Sequence, residues 1–121
     1  MIKSAHHAQI AIPVGGEERA RAFYGELLGL TELPKPEPLA QRGGCWFELP
    51  GFHLHLGIDP RFMPARKAHV AFEVDNLELI RRRLEPTCGS LSTDSSWPGV
   101  LRFYCHDPFG NRLEFLQQVG A

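Results

Sequence analysis

Two distant stretches of the chain alternate apolar and polar residues in the same phase. His7-Ala8-Gln9-Ile10-Ala11-Ile12 puts Ala8, Ile10 and Ile12 on one face and His7, Gln9 and Ala11 on the other, the period of two that marks a strand. His69-Val70-Ala71-Phe72-Glu73-Val74 repeats the pattern, His on His and apolar position on apolar position. A second pair behaves alike. Setting Gly51 of Leu49-Pro50-Gly51-Phe52-His53-Leu54-His55-Leu56 on Gly110 of Asp107-Pro108-Phe109-Gly110-Asn111-Arg112-Leu113-Glu114-Phe115 puts Leu54 on Leu113, His55 on Glu114 and Leu56 on Phe115. The chain reads as one unit written twice.

Between these strands the period changes. Glu17 to Leu28 opens on acidic residues, which suit the positive end of a helix, and carries Ala20, Phe23, Tyr24, Leu27 and Leu28 at helical spacing. Gly29 is placed to end it. A short strand over Leu30 to Leu33 and a proline-rich loop over Pro34 to Pro38 follow, then strands over Cys45 to Leu49 and Phe52 to Ile58 joined by the Pro50-Gly51 turn. In the second copy, Lys67 to Val74 is expected as a strand. Asp75-Asn76 caps a helix to about Leu84, with Leu77, Ile80 and Leu84 as its stripe, and Pro86 ends it. A short strand over Thr87 to Leu91, a polar loop over Thr93 to Gly99, and strands over Val100 to Cys105 and Asn111 to Gln118 complete the copy.

The order βαβββ therefore occurs twice, in an α+β domain covering residues 1–121. Module one spans about 1–59, the linker about 59–66 and module two about 67–121. The sheet is expected to curl so that the faces opposite Ile10, Leu54, Val70 and Leu113 line a cup.

Composition narrows the function. A chain of 121 residues with 43% hydrophobic residues builds one ordinary core, and a formal net charge of -1 with no basic stripe argues against nucleic acid. No apolar run spans a bilayer, and Met1 to His7 lacks the apolar core of a signal peptide. Cys45, Cys88 and Cys105 are odd in number and lack CxxC spacing, which points to a reducing cytoplasm.

The chemistry lies on the cup faces. His7, His55, His69 and Glu114 all fall there, and polar groups in a cup are costly unless satisfied. A divalent metal satisfies them: imidazole suits Zn, Ni, Co and Fe, carboxylate suits harder ions such as Mn, and two His with one carboxylate form the facial triad of non-haem iron. Taken singly, each His is an ordinary strand residue, and Glu114 is half of an ion pair with Arg112. The coincidence of two internal matches favours the metal.

These residues resemble the vicinal oxygen chelate superfamily, which includes glyoxalase I, bleomycin-resistance proteins, fosfomycin-resistance metallotransferases, methylmalonyl-CoA epimerase and extradiol dioxygenases. The carriers are His7 to Ile12, Ala22-Phe23-Tyr24-Gly25-Glu26-Leu27-Leu28-Gly29-Leu30, His69 to Val74 and Asp107 to Phe115. The resemblance implies paired βαβββ modules around a metal, a homodimer, and His7, His69 and Glu114 as ligands. His55 stands where glyoxalase I carries a carboxylate, a departure that weighs against lactoylglutathione lyase activity. His55 is then a fourth ligand or a free acid or base beside Glu114. Gln9, Trp46, Glu48, Arg102 and Tyr104 are candidate substrate contacts. His53 reads as a rim residue and Glu73 as a strand-end carboxylate.

The favoured expectation is a metal-dependent lyase or isomerase acting on a small oxygenated substrate. The alternatives are an iron(II) extradiol-type dioxygenase using His7, His69 and Glu114, and a metal-free drug-binding resistance protein.

Overall fold

A computed structural model describes residues 1–120. It divides into two compact units, Met1–Met63 and Pro64–Ala121.

The first unit runs β1 (His7–Ile12), helix α1 (Glu17–Ala20) continuing as a π-helical segment (Arg21–Leu27), β2 (Thr31–Leu33), a 3-10 turn (Leu39–Arg42), β3 (Cys45–Leu49) and β4 (Phe52–Ile58). Its sheet has the order β1-β4-β3-β2. β1 runs parallel to β4, and the other neighbours are antiparallel. The second unit runs β5 (Val70–Glu73), helix α2 (Leu77–Cys88), β6 (Ser92–Asp94), β7 (Val100–His106) and β8 (Arg112–Gln118), in the order β5-β8-β7-β6 with β5 parallel to β8. The fold is α+β and consists of two tandem modules of one topology.

Register confirms the predicted faces. Ala8 pairs with Leu54 and Ile10 with Leu56, and Phe47 lies across from Leu54. Ile12, Phe47, Leu54 and Leu56 are buried, as are Phe23 and Tyr24. In the second unit Val70 pairs with Leu113 and Phe72 with Phe115, and Phe103 and Leu84 are fully buried. Arg81 of α2 places its guanidinium 5.0 Å from the Phe103 ring centroid.

Four expectations are corrected. The first helix is α-helical for only one turn before widening, with Leu28 N–H donating to Phe23 O at 2.9 Å. Apolar spacing over two turns does not distinguish i→i+4 from i→i+5 bonding. The wider turn lets the adjacent Phe23 and Tyr24 both bury, their rings meeting edge to face at 4.9 Å. The second helix passes through Pro86 to Cys88. Pro86 gives up its N–H bond within the last turn, and the helix stops at Gly89, whose φ is 71°. That extension displaces the next strand from Thr87–Leu91 to Ser92–Asp94. Finally, β5 starts at Val70, so His69 precedes the ladder and turns its Nδ1 back to Lys67 O at 2.8 Å.

The Asp107-Pro108-Phe109-Gly110-Asn111 stretch is a polar-stapled hairpin turn. Asp107 Oδ1 accepts from the N–H groups of Phe109 (2.9 Å) and Asn111 (2.8 Å), and Oδ2 accepts from Asn111 Nδ2 (3.0 Å). Both side chains are buried. The turn fixes where β8 begins and so where Glu114 stands.

Candidate metal and substrate site

In the first unit the ladder sets His55 of β4 opposite Gln9 of β1 and Trp46 of β3. The three candidates share one face, and His7 lies diagonally across. The rings stack. Trp46 lies 4.1 Å from His55 at 7°, and His7 lies 4.2 Å from it at 17°. Because β1 and β3 flank β4, His55 is held between the two rings and its rotation is blocked.

This clamp has an electrostatic consequence. His55 is 6% exposed. Burial, followed by His7, His53, His6 and Lys35 nearby, pushes its pKa down to about 4. The ring is therefore neutral at physiological pH. Its Nε2 is buried and has no hydrogen-bond partner among the described residues. A neutral imidazole with an unused buried nitrogen is the state required of a metal ligand or a general base.

His6 and His53 extend the cluster. His6 and His7 meet at 2.9 Å between Nδ1 atoms, which leaves Nε2 of His7 uncommitted among the described residues, and the His6 ring stands 5.3 Å from that of His53. Periodicity missed His6 because it precedes β1, where alternation no longer decides a side. Imidazole lone pairs lie in the ring plane, so the stacked His7 and His55 are two separate donors, not a chelating pair.

In the second unit His69 and Glu114 meet. His69 Nε2 stands 2.9 Å from Glu114 Oε1, while its Nδ1 faces Lys67 O. A neutral imidazole donates from one nitrogen only. With an oxygen at each, the arrangement is satisfied by a second proton or by a cation. Glu114 is buried, and its other oxygen accepts from Arg102 Nη1 at 3.2 Å.

Arg102, a candidate substrate contact, bonds protein groups here: Nη1 to Glu114, Nη2 to Asp94 Oδ2 at 3.2 Å, with its guanidinium carbon 5.3 Å from the Trp97 ring centroid and 5.6 Å from that of Tyr104. Its Nε is buried without a partner among the described residues. Tyr104 also carries Arg112 at 4.1 Å and meets the His69 ring edge-on at 5.5 Å. Asp94 and Trp97 were not singled out by the sequence, because their membership depends on side-chain reach rather than strand phase, and the cation paired with Glu114 is Arg102 rather than Arg112.

Glu48 pairs with His53 across β3 and β4 and is exposed. Glu73 reaches Gln118 Nε2 at 3.3 Å and stays outside the cluster. Among the described residues no three His, Cys, Asp or Glu side chains gather at one point suited to a metal. The donors occur as pairs, His7 with His55 in one unit and His69 with Glu114 in the other. Their chemistry fits a divalent ion on two grounds: the unused buried nitrogen of His55 and the doubly accepted ring of His69.

The comparisons with known proteins agree with the module architecture. The family model for the glyoxalase/bleomycin resistance protein/dioxygenase superfamily matches residues 6–115. The chain belongs to that superfamily. A solved glyoxalase family protein from Bacillus anthracis shares 45% identity over 98% of this chain and 97% of its own, with a TM-score of 0.92. A glyoxalase/dioxygenase from Nostoc punctiforme shares 25% over 96% and 91%, with a TM-score of 0.74. A fosfomycin resistance protein from Listeria monocytogenes shares the fold at 13% identity, over 100% and 96%, with a TM-score of 0.74. No curated protein matches the sequence. Among the described residues no helix is long and apolar enough to cross a membrane.

Proposed function

We propose that this superfamily member is a divalent-metal-dependent lyase or isomerase acting on a small oxygenated molecule. The observation that carries the reading is His55: buried, clamped between two rings, held neutral, and with Nε2 unused. Leaving a buried nitrogen unsatisfied costs about 1–3 kcal/mol, which calls for a return in function.

His7 and His55 in the first unit, and His69 with Glu114 in the second, are the donors assigned to metal. Zn, Ni, Co, Mn and Fe all suit this donor set, and a bound metal would supply Lewis acidity toward substrate oxygens. The remaining work falls to the chain. The Trp46 and His7 rings fix the direction of the His55 lone pair. His7 is the exposed donor of the pair and His55 the buried one. Arg102 holds one oxygen of Glu114 and leaves the other for His69 or its replacement cation. Glu114 and His55 are assigned proton transfer, Gln9, Trp46 and Tyr104 contact with substrate, and Arg102 the positioning of Glu114. A homodimer in the cytoplasm belongs to the same proposal.

The test is metal content of the untagged protein purified without chelators, beside Glu114→Ala and His69→Ala. About one equivalent per chain, lost in both variants, is expected. Nickel, cobalt or zinc supports lyase or isomerase chemistry, whereas iron with oxygen-dependent loss of a catechol redirects the site to ring cleavage. No uptake of any of these ions after attempted loading refutes the reading.

A further inference from the structure

A cavity of about 170 Å³ opens in the first unit between β1, the ends of β3 and β4, and the segment that joins β2 to β3. Gln9, Trp46 and Gly57 line one side, and Lys35, Arg42 and Gly43 the other. Gln9 and Trp46 are the cross-strand neighbours of His55. Ordinary ligand pockets measure roughly 300–1,000 Å³, so this one takes the end of a molecule rather than the whole.

The lining is cationic, and it is held in place. Lys35 Nζ donates to Gly43 O and sits 5.8 Å from the Trp46 ring centroid, which leaves two N–H groups undirected. Arg42 has no carboxylate partner among the described residues. No carboxylate lines the cavity. The nearby Glu17 lies beside Gly43 and is committed to the chain: its Oε2 accepts from Gly44 N–H at 3.0 Å, a bond that, ahead of the weaker pull of Arg21 and Lys35, lowers its pKa. Two glycines fix the segment's return. Gly43 and Gly44 have φ of 74° and 80°, and any Cβ on Gly44 would strike the Leu56 carbonyl. On the strand side, a Cβ on Gly57 would lie 2.6 Å from Gln9 Nε2, so the glycine makes room for that amide to lie along the cavity.

Two cations and an amide donor against an aromatic wall are suited to an oxyanion on a small, flat molecule. We propose that this cavity is a subsite for the anionic end, carboxylate or phosphate, of the small molecule handled beside His55. It rests on the reading above that His55 serves a small oxygenated substrate, and it narrows that substrate to an anion.

The experiment is a two-probe titration of the full metal-free chain, with inorganic phosphate in one arm and benzoate in the other. The readouts are the Gln9 side-chain amide, the Gly43 and Gly44 amides and the Trp46 indole N–H by NMR. Saturable shifts confined to these groups are expected, with a dissociation constant on the order of 1 mM. In Lys35→Gln/Arg42→Gln binding weakens at least about tenfold, and Lys35→Arg in the Arg42 background retains it. Saturation by phosphate alone assigns a phosphate, and by benzoate alone a carboxylate. No saturable shift with either probe, or equal binding by the double Gln variant, overturns the subsite. Because metal is absent, failure of metal loading leaves this result standing, and failure here leaves the metal result standing.

Discussion

The ring of His55 lies flat against that of Trp46, 4.1 Å away and 7° from parallel, in a buried position that lowers its pKa. Folded His55 titrates at about 4, against an ordinary value of 6.5. The unfolded chain therefore takes up a proton that the folded chain refuses. Stability from this group is fully present above pH 6.5 and is lost as pH falls toward 4. After discounting for solvent screening, the loss is on the order of 2 kcal/mol. Urea unfolding of metal-free protein at pH 7.5 and 4.5 measures it. His55→Phe keeps a ring in the stack and removes the titration, so its stability should fall less than that of the wild type over this range. An equal fall in both would show that another group carries the acid response.

Gly44 and Gly51 both have positive φ, yet only one is walled in. A Cβ on Gly44 meets the Leu56 carbonyl, whereas one on Gly51 meets nothing within 4 Å. Gly51→Ala should cost about 1 kcal/mol, the backbone penalty alone. Gly44→Ala adds displacement of β4 backbone beside His55 and should cost more than about 3 kcal/mol. Chemical denaturation of the pair checks this, and similar costs would mean that β4 yields easily at Leu56.

Much of this architecture was legible because strands obey a period of two. That His7 shares a face type with His55, and His69 with Glu114, follows from phase alone, and the internal repeat gave two chances to read it; the register of β1 on β4 and of β5 on β8 came from the structure. Caps with local side-chain bonds were legible too: Asn76 accepts from Leu79 N–H at 3.1 Å where the sequence placed a cap. What escaped depends on geometry that periodicity does not encode. The π turn at Phe23 and the helix through Pro86 satisfy the same spacing as the shorter or straighter alternatives. The placement of Arg102 between two carboxylates depends on the reach of a long side chain from β7 to β6 and β8. The clamping of His55 needed the ring planes, not only the face.

Asp107 is a structural residue within a motif that otherwise reads as functional. Its carboxylate receives three donors, two of them backbone, inside the turn that launches β8. Asp107→Ala removes the acceptor that all three donors share, at a cost of about 2–4 kcal/mol. Asp107→Asn retains part of the acceptor set and should cost less. Thermal unfolding separates the two, and an unchanged Ala variant would show that water replaces the carboxylate there.

Arg102 should govern metal affinity without being a ligand. It fixes Glu114 Oε2 at 3.2 Å, is itself fixed by Asp94, and lies between Trp97 and Tyr104. The hydroxyl and amide of Ser96, then Arg102, hold the Asp94 carboxyl below its ordinary range, so the anchor stays charged. Partners that orient a ligand are typically worth 10–100-fold in metal affinity. Arg102→Met should reduce affinity by about that factor, while Glu114→Ala should abolish site-specific uptake. Asp94→Asn should give a smaller loss in the same direction. In Glu114→Gln, removing Arg102 as well should add little, since the group it orients no longer carries charge. Competition titrations with a metal-sensing dye read all five variants. If losses from Arg102→Met and Glu114→Gln simply add, Arg102 acts through some other contact, with its stack on Trp97 and Tyr104 the next to be tested.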